Sequence, residues 1–156
     1  MKDSAKAYNQ ALIYLTPRAR SIMEARKNLD QKGFSSGVID ETISKLTGQG
    51  LLNDREFAAL FVENRERFRP KSRFALGYEL KQKGVSNLII EEILANLDDR
   101  DAALRAVKTK INRWKNLDPP ALKKKVMALL RNRGFSYEIS MSAYLAILTN
   151  KEEKDS

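Results

Sequence analysis

The chain has 156 residues, 42% of them hydrophobic, with 29 Lys and Arg against 20 Asp and Glu and a formal net charge of +9. It contains neither histidine nor cysteine, which excludes a Ser-His-Asp triad, a thiol nucleophile, a disulfide and the common zinc sites. No apolar run approaches the ~20 residues of a membrane helix, and the N-terminus MKDSAKAYNQ lacks the apolar core of a secretory signal; a reducing cytoplasm is the expected compartment.

Residues 5–15 place Tyr8, Ala11, Leu12 and Leu15 on one side of a helix. Thr16-Pro17 reads as an N-cap followed by proline at the first helical position, opening a helix over 17–32. A third helix, 36–47, carries Val38, Ile39, Ile43 and Leu46. Asn53 with Glu56 resembles a capping box and opens 54–69, with Phe57, Leu60, Phe61 and Phe68 on one side. Residues 71–83 carry Leu76 and Leu80, and Ser86 is placed to cap 87–97, which holds Ile89, Ile90, Ile93, Leu94 and Leu97. Leu104, Val107, Ile111 and Trp114 stripe a helix over 101–115. Asp118-Pro119 opens 119–133, striped by Leu122, Val126, Leu129 and Leu130. The last helix, 137–149, carries Ile139, Tyr144 and Ile147, and 150–156 (NKEEKDS) reads as a flexible tail. No stretch alternates convincingly as a strand does.

One phrase recurs among these elements. LDQKGFS (29–35), LKQKGVS (80–86) and LRNRGFS (130–136) place Gly33, Gly84 and Gly134 at intervals of 51 and 50 residues. Basic residues in a last helical turn complement the dipole. Glycine then supplies the left-handed residue that closes a helix, and serine caps the next one. Apolar residues at +1, +5, +10 and +13 from each glycine recur in all three copies. The fold expected is all-α: an elongated tandem array of three three-helix repeats over 1–50, 51–99 and 100–149. A unit of ~50 residues is marginal alone, so neighbouring repeats should pack on one another. Small-angle scattering should accordingly show a particle longer than it is wide, and a spherical profile would contradict this reading.

The charge is unevenly spread. Residues 65–83 sum to +5 and 105–133 to +9, whereas 84–104 sum to −4. Such blocks suit a polyanion or an acidic protein surface. The stretch RERFRPKSR supplies Arg65, Arg67, Arg69, Lys71 and Arg73. Lys108, Lys110, Arg113 and Lys115 come from the helix before 119, and Lys123, Lys124, Lys125, Arg131 and Arg133 from the helix after it. Lys124 and Arg131, seven apart, project away from the apolar stripe. This surface can engage phosphates without reading bases or meet acidic patches of a protein. Phe68, Phe74, Tyr78 and Trp114 are interleaved with it; stacking on bases is one reading, and core packing is the plainer one.

Other chemistry finds little support. No GxxxxGK[ST] loop is present to cradle a nucleotide, and no cofactor is implied. Asp98, Asp99 and Asp101 suit a magnesium ion on paper, but capping and dipole compensation account for them. The repeated turn resembles a helix-turn-helix, yet the helices after it carry Asp40 and Glu41, Glu91 and Glu92, or almost no charge, so they are unsuited to the major groove.

The motifs YLTPRARS (14–21), LDQKGF (29–34), GLLNDREFAALFVENR (50–65), ELKQKGV (79–85) and LLRNRGFSYEI (129–139) resemble, in order, those of the RecX family of bacterial regulators. The family often has a second acidic residue where Asn53 stands, and asparagine caps a helix about as well. The resemblance implies tandem three-helix repeats and a non-catalytic monomer that binds the RecA recombinase, typically along its nucleoprotein filament. It further implies restraint of filament growth, ATP hydrolysis and strand exchange, with damping of the SOS response, and DNA binding in some members. The alternative is a sequence-nonspecific nucleic-acid-binding module, on single- or double-stranded DNA.

Overall fold

The computed structural model describes residues 2–155. Every regular element among them is a helix: α1 (Lys2–Leu15), α2 (Ile22–Gln31), α3 (Ser36–Gly48), α4 (Asp54–Phe68), α5 (Arg73–Gln82), α6 (Asn87–Leu94), α7 (Asp99–Lys108), α8 (Ile111–Trp114), α9 (Pro119–Asn132) and α10 (Tyr137–Asp155).

The three copies of the repeated phrase fold alike. Gly33, Gly84 and Gly134 have φ of 88°, 82° and 85°, the left-handed region open to glycine. Each turn makes the same two bonds: the glycine N–H reaches three residues back, and the next N–H reaches five back. Thus Gly84 N donates to Lys81 O at 3.0 Å and Val85 N to Leu80 O at 3.1 Å, with counterparts at Gly33/Phe34 and Gly134/Phe135. This pair of bonds satisfies carbonyls that a helix end leaves unpaired. Two residues on, Ser35, Ser86 and Ser136 accept from the N–H of Val38, Ile89 and Ile139, capping α3, α6 and α10. All twelve apolar positions at +1, +5, +10 and +13 are buried or half-buried.

Several boundaries depart from expectation: α1 already begins at Lys2 rather than 5, and α6 ends at Leu94 rather than 97. α2 starts at Ile22 rather than 17, because Ser21 and Glu24 form a complete capping box there, while the Thr16 hydroxyl donates back to Leu12 O at the end of α1. The single helix expected over 101–115 is two, α7 and α8. The Thr109 hydroxyl donates to Ala106 O and Lys110 N donates three residues back to Val107 O, so the ladder tightens and breaks. The last helix runs past 149 to Asp155.

The described chain divides into two compact units, residues 1–61 with 79–93, and residues 62–78 with 94–156. The boundaries fall inside α4 and α5 and before the last residue of α6, so the middle repeat contributes to both units. In the first unit, Ala7, Ala11, Ala25, Leu29, Ile39, Ile43, Leu46 and Leu52 form one buried cluster. The second is built around Val107, Leu122, Val126, Leu130, Phe135, Tyr144 and Ile147.

Each unit contains one seam between successive repeats, and the seams are built alike. In the first, Gly84 faces Met23 near the start of α2; a Cβ on Gly84 would lie 2.6 Å from the Met23 Cβ. Beside it, Lys83 Nζ donates to Glu24 Oε2 at 3.3 Å. In the second, Gly134 faces the start of α5; a Cβ there would lie 2.7 Å from both the Ala75 Cβ and the Ser72 Oγ. Beside it, Arg133 Nη1 donates to Pro70 O at 3.1 Å. Gly33, in the first repeat, has nothing within 4 Å of its would-be Cβ.

Glu24 binds its seam chemically. Burial alone would raise its pKa, but hydrogen bonds from Arg18 and the Ser21 N–H, with the charges of Arg18 and Lys83, outweigh this and hold the carboxyl below its ordinary value. A depressed carboxyl stabilises the fold above its unfolded pKa and ceases to as pH falls through the folded pKa. Glu24→Gln should therefore cost about 1 kcal/mol at neutral pH. Urea denaturation should show the gap to the parent closing in acid, and a pH-independent gap would rule out this charge-based account.

Candidate functional site

The charge is concentrated in one unit. Residues 62–78 with 94–156 hold 18 Lys and Arg against 10 Asp and Glu, a net +8; the other unit holds 11 against 10, a net +1. Both basic clusters singled out in the sequence, 65–73 and 108–133, belong to the +8 unit.

The 65–73 segment is held in place at several points. Pro70 and Ser72 are buried. Ser72 N donates to Arg133 O at 3.0 Å, and the Ser72 Oγ caps α5 by accepting from Ala75 N. Arg73 N donates to Asp99 Oδ1 at 2.9 Å. The segment's one carboxylate is drawn aside: Arg105 bonds Glu66 through both its backbone carbonyl and its carboxylate, and pairs with Asp101 through Nε at 2.8 Å. Those pairings outweigh the desolvation of Arg105 and raise its pKa above the ordinary value. Arg67, Arg69 and Arg73 are exposed, Arg65 and Lys71 half-buried.

On α9, Leu122, Val126 and Leu130 are buried while Lys123, Lys124, Lys125 and Arg131 are exposed. Lys108, Arg113 and Lys115 are exposed on or beside α7 and α8, with Lys110 half-buried. Arg133, the C-cap of α9, meets the 69–72 connection at Pro70 and Ser72, so the two segments join at that point.

Arg133 itself is not a surface cation. It is buried, and its guanidinium serves the Pro70 carbonyl. Burial, then the neighbouring Arg69 charge, push its pKa below the ordinary arginine value, while the group remains a cation. Its role is to fix the connection, and it drops out of the candidate binding set. Nothing in RNRGFS marks this, since Lys32 and Lys83 hold the same place in the other copies.

The aromatic residues separate in a way the plainer sequence reading missed. Trp114 packs against the buried cluster of its unit. Phe68, Phe74 and Tyr78 are instead 69%, 80% and 61% exposed. The signal was present: Leu76 and Leu80 are fully buried, and residues two positions before them lie about 200° round the helix. On α4 the inner residues are Phe57, Ala58 and Val62, with Phe61 half-buried and Leu60 exposed.

The aspartates after α6 are committed to structure. Asp98 caps α7 through Arg100 N, Asp99 takes Arg73 N and Asp101 pairs with Arg105. A cavity of about 460 Å³ lies against Ile111, Trp114, Leu122 and Ile147 with Lys108, Lys115 and Lys151 at its polar lining; Lys151 is engaged with Leu117 O.

The chain is similar to known proteins along most of its length. Family models described as the first, second and third three-helix domains of RecX match residues 7–46, 53–94 and 98–143. A protein named Regulatory protein RecX from Chlorobium phaeobacteroides is 40% identical over 85% of this chain and 87% of its own. One of the same name from Prosthecochloris aestuarii is 36% identical over 95% and 97%. The crystal structure of RecX from Lactobacillus salivarius superposes with a TM-score of 0.76 at 26% identity, covering 93% of this chain and 96% of that one. Three tandem domain matches, each spanning one of the three turn glycines, and relatives of this identity and coverage, lead to one conclusion: the chain belongs to the RecX family.

Proposed function

We propose that this chain is a non-catalytic regulator that binds a RecA recombinase along its nucleoprotein filament and restrains it. The observation that carries the reading is the concentration of +8 in one unit, on side chains whose backbone is fixed by Ser72, Arg133 and Asp99. A nucleoprotein filament is a polyanion, and an exposed array of Lys and Arg binds such a surface through phosphates and carboxylates without needing a pocket. The relatives carry the name Regulatory protein RecX, which fits a modulator rather than a catalyst. Among the described residues no helix is long and apolar enough to cross a membrane.

The test is association with purified RecA in the presence and absence of single-stranded DNA, with DNA-dependent ATP hydrolysis followed in parallel. Binding should be stronger to the assembled filament, should weaken with salt, and should lower ATP turnover. Absence of both binding and any change in turnover would overturn the reading. DNA binding without RecA association would favour the nonspecific nucleic-acid module instead.

A further inference from the structure

The corner formed by the end of α4 and the outer face of α5 carries three large rings that the fold does not use. Phe68 is the last residue of α4; Phe74 and Tyr78 are one helical turn apart on α5, which brings their Cβ atoms to about 5–6 Å. Their exposures of 69%, 80% and 61% leave ring faces open to solvent. The Arg67 guanidinium lies over the Phe68 ring at 5.4 Å from its centroid, and Arg67, Arg69 and Arg73, interleaved with Phe68 and Phe74 along the same segment, are exposed. The backbone carrying them is anchored by Ser72, Asp99 and Arg133.

We propose that this corner is a binding site for single-stranded nucleic acid, with Phe74 and Tyr78 stacking on unpaired bases and Arg67, Arg69 and Arg73 holding the adjoining phosphates. Charge complementarity selects the occupant. An apolar protein partner would meet exposed arginines along with the rings, whereas a nucleic-acid strand offers a π-face and an anion at each step. Duplex DNA hides its base faces in the stack, so rings presented this way act on single strands. Phenylalanine has no hydrogen-bonding group for base edges, and the site therefore tolerates sequence. The assignment goes beyond the regulatory reading and stands independently of RecA.

The experiment uses the full chain and a short fluorescein-labelled oligothymidylate, with a duplex of matched length as the comparison. Phe74→Leu and Tyr78→Leu keep apolar bulk and remove the ring, and both positions are exposed, so melting should stay at the parental temperature. Each should weaken oligothymidylate binding about tenfold with the salt slope unchanged. Arg67→Gln with Arg69→Gln should instead flatten that slope. In Phe74→Trp the indole fluorescence should be quenched as the oligonucleotide is added. Parental affinity in both leucine variants, or equal affinity of the parent for duplex and single strand, would overturn the assignment. So would loss of RecA association in Phe74→Leu, measured without nucleic acid, alongside unchanged oligothymidylate binding; that result would make the corner a protein-docking face. Failure of RecA association in the parent with stacking intact would remove the regulatory proposal and leave this one standing.

Discussion

Gly134→Ala should destabilise the protein by about 3 kcal/mol, while Gly33→Ala should cost about 1 kcal/mol. The two glycines share a left-handed backbone, φ 85° and 88°, so the conformational cost of a Cβ is common to both. Surroundings make the difference. At Gly33 the methyl enters open space; at Gly134 it would lie 2.7 Å from the Ala75 Cβ and from the Ser72 Oγ. That hydroxyl caps α5 through Ala75 N, and Ser72 N is itself bonded to Arg133 O. Relieving the overlap therefore moves a helix cap, whose loss alone costs about 1 kcal/mol. Gly84→Ala should resemble Gly134→Ala, because its methyl would meet the Met23 Cβ. With 1 kcal/mol worth about 2–4 °C in a chain of this size, thermal melting resolves the ranking. Equal losses at all three glycines would mean that the turns matter only for their own dihedrals and that the seams are soft.

This ranking shows where sequence reading ends. The three turns were legible, because glycine, the basic last turn and the serine cap are local chemistry, and the apolar offsets repeat with them. What each glycine faces was not. Gly33, Gly84 and Gly134 sit in nearly the same heptapeptide, yet two lie on a neighbouring repeat and one does not. The same limit explains Arg133. As one of many cations in 105–133 it counted toward a surface, but its contact is with Pro70, 63 residues earlier. Thr16-Pro17 failed for a different reason. Two start signals lay five residues apart, and the reciprocal bonds of Ser21 and Glu24 outweigh a proline that merely permits a helix. Phe74 and Tyr78 could have been placed from the Leu76–Leu80 phase; a general preference for buried aromatics obscured it. The basic clusters were read from composition, and their placement in one unit follows from the fold, since α4 and α5 are shared out between the units.

Neutralising Lys123, Lys124, Lys125 and Arg131 together should sharply weaken binding to a nucleoprotein filament and leave the fold intact. All four side chains are exposed, Lys124 and Arg131 opposite the buried Leu122, Val126 and Leu130 and Lys123 and Lys125 flanking that stripe, so glutamine at each position removes charge without opening the core. If the four meet single-strand phosphates, the slope of log affinity against log salt should fall by about three, from roughly 0.7 per contact. Arg67, Arg69 and Arg73 form the second set, replaced separately because they flank the exposed rings. Arg133 must stay in both. Its truncation would orphan the buried Pro70 carbonyl and cost about 1–3 kcal/mol in stability, which would mimic a binding defect. Inhibition of RecA-dependent ATP hydrolysis and binding to DNA alone are then measured for each set. Loss of inhibition with DNA binding retained would indicate that α9 contacts RecA itself. Parallel loss of both would indicate a shared electrostatic surface. If both variants melt, inhibit and bind like the parent, the exposed cations are not the functional surface and the +8 of this unit serves only to keep the chain in solution.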